Sequence, residues 1–298
     1  MTTTDLPVRQ RFPDERIREA ARRFSVQEAH ALVKGLFQPR LWIYWCDFLA
    51  SWSVAVMAFL AVGYLGYLTL PAAGAYVVSV LAFYRSAAFI HEIIHFRQKR
   101  SYRWFRRVWN VLCGFPLLIP VFMYECHSEH HNKRYYGTAQ DAEYLPLATM
   151  SPWRIVGILA ATPLLPFFGP YRFGLMTPLS WFIPSLRNYV YTRLSSLKLD
   201  IEYDGRPPRD KAERWVWFAQ EVACLLVVLA TVFAAVDGVL PWQRVAQWYA
   251  TMAGVILINS FRLLAAHRYL SDNQPMTLTE QMMDTVNHPR WPLVAELW

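Results

Sequence analysis

AAGAYVVSVLAFYRSAAFIHEIIH, residues 72–95, is an apolar run that ends in two histidines four residues apart. A run of this length and character reads as a helix crossing a bilayer, whose hydrocarbon core takes about 20 apolar residues. Three further stretches qualify, at about Ile43–Leu68, Trp215–Val236 and Val245–Ala266. Pro71 and Pro241 punctuate the very short connections between neighbours, so the four spans pair into two helical hairpins. Composition agrees. The chain is 55% hydrophobic and only 17% charged, where a soluble domain carries about 25% charge. Disorder, collagen-like repeats and a coiled coil are excluded.

Charge placement orients the spans. Of the Lys and Arg residues, eight fall in residues 1–40, six in 96–107 and eleven in 125–214, whereas the 69–74 loop has none and 237–244 has only Arg244. Basic loops stay cytoplasmic, so both termini and the long middle region are expected in the cytoplasm. Residues 1–40 form one expected unit, a polar, basic segment without a signal-peptide core. Within it Ser25 and Glu28 form a capping box ahead of an amphipathic helix that Pro39 closes, with Arg9, Arg11, Arg16, Arg18, Arg22, Arg23 and Lys34 available to anionic headgroups. Residues 41–298 form the membrane unit. Between its hairpins, Val108–Tyr124 is interrupted by Gly114, Pro116 and Pro120, and the 153–184 stretch by Pro163, Pro166, Pro170 and Pro178. Both read as interfacial or half-inserted helices; the rival is one extra spanning pair. The expected fold is thus an all-α integral membrane protein with four spans, interfacial helices and a cytoplasmic histidine-rich cap.

The histidines carry the chemistry. His91 and His95 lie on one helical face at the cytoplasmic end of the second span, and His127, His130 and His131, in HSEHH, share another face. His267 ends the fourth span at the same membrane level, while His30 and His288 read as surface residues. Ionisable groups at membrane depth are costly and functional, and imidazole suits iron, zinc and copper. The four cysteines, Cys46, Cys113, Cys126 and Cys224, form no CxxC pair, which disfavours a thiolate site. HEIIH is also the zinc-protease signature, with Glu92 as general base. That rival leaves HSEHH unexplained; two clusters are better accounted for by two metals.

HEIIH followed by HSEHH between two helical hairpins resembles the membrane fatty-acid desaturase and hydroxylase superfamily, over about Leu41–Trp298. By that resemblance His91 and His95 match a first histidine box, His127, His130 and His131 a second, and His267 an isolated ligand, with Asn259 as a supporting group. YGTAQDAEY, just after HSEHH, is also similar to the family; its Asp141 and Glu143 read first as solvated loop charges, with the orienting of ligand imidazoles as the alternative. One departure stands out: the family's third box, of the HxxHH type, is missing after the last span. The expectation is a chain cut short before that box, or a divergent member that binds less metal.

The resemblance implies two iron ions, O2 as co-substrate, and a double bond introduced into a fatty acyl chain, with hydroxylation in the same superfamily as the alternative. It also implies an outside electron donor such as a ferredoxin or cytochrome b5, since no GxGxxG fingerprint or fused haem domain is present. The basic cytoplasmic face suits an acidic carrier. Trp42, Trp45, Trp104, Trp109, Trp215 and Trp217 read mainly as interfacial anchors. A nucleic-acid partner is dismissed, because the positive charge follows membrane topology. Zinc protease and metal-deficient family member are the readings that compete.

Overall fold

A computed structural model describes residues 15, 19, 23–145, 147, 150–271 and 273–286. The basic positions 9, 11, 16, 18 and 22, and His288, lie outside the described residues. Those described are helical, with no strand beyond a single antiparallel bridge between His267 and Thr285. Helix α1 (Val26–Val33) starts where expected, with the Ser25 hydroxyl accepting from the Glu28 amide.

Helices α2 (Leu41–Tyr64) and α3 (Leu70–His95) form the first hairpin. Gly66 makes the turn at φ +83, which only glycine adopts without strain, and the Thr69 hydroxyl then caps α3. Phe48, Ala55 and Val62, spaced at seven residues, form the buried stripe of α2. Asp47 and Arg85 pair across the hairpin at 2.6 Å. Helix α3 is the most enclosed of the long helices, with ten buried residues running down to Ile94, so the histidines at its end stand on a packed base.

The second hairpin is α9 (Lys211–Val236) and α10 (Trp242–Ala266); the intervening helices are numbered below. Helix α10 packs on α3 where Gly254 admits Val80, and Tyr76 bonds the Ala250 carbonyl at 2.8 Å. At the far end Arg244 and Gln247 bond the Phe59 carbonyl at the C-terminus of α2, at 2.9 and 2.6 Å. Arg244, in the first turn of α10, thus braces the last turns of α2.

Val108–Tyr124 does not make a straight helix. Helix α4 (Arg103–Trp109) passes into a π turn at Asn110–Gly114 and later a 3-10 turn at Val121–Tyr124. Asn110 bridges the break, its Oδ1 accepting from the Val121 amide and its Nδ2 reaching Gln220. Trp109 is wholly buried and bonds the Ser86 carbonyl of α3.

Among the described residues five stretches, not four, are long and apolar enough to cross a membrane. The fifth is Pro152–Phe182, which begins as α6 (Pro152–Ala161) and ends as α7 (Thr177–Phe182), with 3-10 and π turns between. The four-span expectation set this segment aside on its prolines. Its contacts show a path that is not straight: Phe167 packs on Tyr249 of α10 and Gly174 on Val228 of α9, both deep in their helices, while Trp181 has come back to Phe218 near the start of α9. Helix α8 (Pro184–Arg193) follows, and Leu197 then donates to the Met123 carbonyl beside the histidines.

Candidate metal centre

His91 and His95 end α3 one turn apart, held by the buried Ile90, Ile93 and Ile94 below them. His127, His130 and His131 come from α5 (His127–His130) and the residue that ends it. That short helix is set against α3 by the buried turn before it, where the Tyr124 ring stacks on His127 at 4.8 Å between centroids.

Four imidazoles converge. Nε2 of His95 lies 3.3 Å from Nε2 of both His91 and His127, and Nε2 of His127 lies 2.9 Å from that of His131. One ligand nitrogen from each of the four lies within 4.8 Å of all the others. Metal–nitrogen bonds of about 2.0–2.1 Å place neighbouring ligand nitrogens about 3.0–3.4 Å apart, so the spacing fits a shared ion.

The tautomers fit as well. The His127 Nδ1–H donates to Glu143 Oε1 at 2.7 Å, and the His91 Nδ1–H to Glu92 Oε1 at 3.2 Å. Each proton committed at Nδ1 leaves a lone pair on Nε2, aimed into the cluster. Burial, then the neighbouring imidazoles, push His131 down to about 3, so it too is neutral at physiological pH. Burial works to raise the Glu143 carboxyl, but the neighbouring His127 imidazole and its hydrogen bond hold it at about 2. Tyr124 donates to its other oxygen at 3.1 Å.

A second locus adjoins the first. The His130 Nδ1–H donates to Asp141 at 2.9 Å, and the His267 Nδ1–H to the Tyr136 hydroxyl at 2.9 Å. Tyr136 in turn donates to Asp284, which also receives Tyr144 and the Leu270 amide. The His130 and His267 rings stand 5.2 Å apart between centroids. Burial, then the His130 charge, push His267 down to about 4.

Local backbone geometry explains how one loop serves both loci. Gly137, at φ +74, turns the chain so that its amide bonds Asp141, and Asp141 then accepts the Glu143 amide. Two residues apart, the two carboxylates reach His130 and His127 respectively. The Ala142 carbonyl between them accepts the Leu199 and Asp200 amides, fastening the loop to the segment before α9.

All six histidines singled out in the sequence therefore meet at one end of the bundle, and Asp141 and Glu143 bond two of them. Asn259 does not join them: it is half-buried on α10 and, among the described residues, bonds none of the histidines. Sequence reasoning passed over Tyr44, Tyr124, Tyr136 and Asp284, and cast Glu92 only as a protease base. Glu92 is instead held between His91 and the Tyr44 hydroxyl. Its place beside His91 was the signal available for it; Tyr136 opens the YGTAQDAEY segment, whereas Asp284, 148 residues further on, gave none.

The model of the fatty acid desaturase family matches residues 68–294. The chain belongs to the fatty acid desaturase family. It is similar to a ceramide hydroxylase of Caulobacter vibrioides (strain NA1000 / CB15N), 38% identical over 275 residues, which cover 91% of this chain and 77% of that protein. No solved structure matches it. This desaturase-family chain is accordingly a membrane-embedded oxidoreductase of lipids, and its histidine cluster is one that could hold metal.

Proposed function

We infer that the protein hydroxylates a long-chain lipid of the ceramide type at an iron centre, with O2 as co-substrate. The observation that carries the reading is the convergence of four Nε2 lone pairs, with carboxylates fixing the tautomers behind His91 and His127. His91, His95, His127 and His131 would hold one iron; His130 and His267 would contribute to a second. Iron bound there supplies, with O2, the power to break an unactivated C–H bond. The balance is one C–H and O2, with two electrons and two protons from outside, giving C–OH and water. An acidic electron carrier, such as a ferredoxin, suits the basic segments that flank the two histidine clusters in the chain.

The chain's own residues keep the imidazoles aimed. Glu143, Asp141, Glu92 and the Tyr136–Asp284 pair each accept, directly or through the phenol, the proton that would otherwise turn a ligand nitrogen away. That use of Glu92 supports a ligand-orienting role over that of a protease base. Hydroxylation is preferred to desaturation because the similar curated protein is a hydroxylase; the family's own name favours desaturation as the second reading.

Incubation with a ceramide, a reductant and isotopically heavy O2, followed by mass spectrometry of the lipid, tests this. Gain of one heavy oxygen is the expected result. Loss of two hydrogens without oxygen would establish desaturation instead, and an unchanged lipid across acyl substrates would overturn both.

A further inference from the structure

Away from the histidines, two buried charged groups, Glu221 and Arg172, meet a third, Arg187, that is only partly buried. Glu221, ten residues into α9 and fully buried, receives Arg172 on one oxygen at 2.7 Å and Arg187 on both, at 3.0 and 2.6 Å. Arg172, also fully buried, spends its other donors on the Leu194 carbonyl, Ser195 and Thr177. Two guanidinium groups against one carboxylate leave the triad with an excess positive charge. In a low-dielectric setting such a charge is costly unless a counter-charge lies near.

The excess faces a cleft. Arg187 lies on the wall of an open cavity of about 760 Å³ between α7, α8, the Pro207–Pro208 loop and the first turns of α9. Trp181, Tyr191, Trp215 and Phe218 supply its aromatic lining, and no carboxylate contributes to it. Arg214 adds a second guanidinium. Among the described residues that side chain has no hydrogen bond or ion pair, whereas its neighbour Glu213 is taken by Arg206 and Arg209. The cleft thus presents positive charge that the protein leaves unanswered.

Its position says what answers it. The cleft lies at the Lys211 end of α9, the same end as the histidines, because Arg206 bonds Glu125 just before α5. Next to it, Phe182 is 83% and Trp215 69% exposed, apolar surface at the level where α9 enters the bilayer. We propose that this cleft binds the phosphate headgroup of an anionic glycerophospholipid, with Arg214 and the Arg172–Glu221–Arg187 triad as counter-charge and the aromatic rim against the acyl chains. The site is separate from the histidine centre and does not depend on its reading.

The full chain purified in mild detergent, titrated with dioleoyl phosphatidylglycerol or dioleoyl phosphatidylcholine and read by native mass spectrometry, tests the proposal. One phosphatidylglycerol should stay bound per chain and phosphatidylcholine should not. Arg214→Ala should weaken retention about tenfold, the effect of one lost charge-assisted hydrogen bond. Asn188→Trp, at an exposed lining position, should block the cleft sterically. Arg209→Ala, outside the cleft, should change nothing. Equal retention of both lipids, no effect of the two cleft variants, or an equal loss with Arg209→Ala would overturn the site. Binding of glycerol phosphate as tight as that of the lipid would overturn the lipid assignment in favour of a soluble phosphate ester.

Discussion

Glu143 Oε1 lies 2.7 Å from Nδ1 of His127, with both side chains buried and sixteen residues apart in the chain. His127 is the imidazole nearest two others, so this one bond orients the centre of the cluster. Glu143→Ala should lower metal affinity roughly 10–100-fold, the usual cost of losing a group that orients a ligand. Elemental analysis after dialysis against graded chelator checks it; full metal content at every chelator level would show that the carboxylate is dispensable.

His127→Ala and His131→Ala should each abolish activity and deplete metal while the protein still inserts in membranes. Neither residue lies in a span, so insertion does not depend on it. Carbonate extraction of membranes measures insertion. An active variant of either kind would remove that histidine from the ligand set.

The two loci should be separable. Asp284→Ala removes the acceptor behind Tyr136 and His267 and touches none of the four converging histidines. Metal content should fall in part and not to zero. Total loss would mean that the loci load as one unit.

Gly137→Ala probes the loop that serves both. The position has φ +74, and an added Cβ would lie 2.8 Å from Ser271. A left-handed conformation costs a non-glycine residue about 1–2 kcal/mol before any clash. The variant should fold but lose activity and metal through displacement of Asp141. Wild-type activity would show that the loop tolerates a shift.

Glu221→Gln should destabilise the protein by about 3–5 kcal/mol, because it leaves the fully buried Arg172 and the partly buried Arg187 without an anion. Thermal unfolding in detergent reads the effect as a lowered midpoint. An unchanged midpoint would mean that water or lipid already neutralises the triad.

The amino-acid sequence alone determined the membrane class, both hairpins and the six histidines. Long apolar runs and i, i+3, i+4 spacing are local properties, and they survive any packing. The expectation of four spans met a fifth stretch of spanning length at Pro152–Phe182, whose prolines segment it without removing its apolar character. Tertiary structure decided what stands behind His91 and His267. Glu92 turned from protease base into the partner of His91, Asn259 took no part, and Tyr136 with Asp284 came from distant segments to hold His267. Hydrogen bonds between residues more than a hundred positions apart depend on where whole helices end. No periodicity or motif in the chain records that distance.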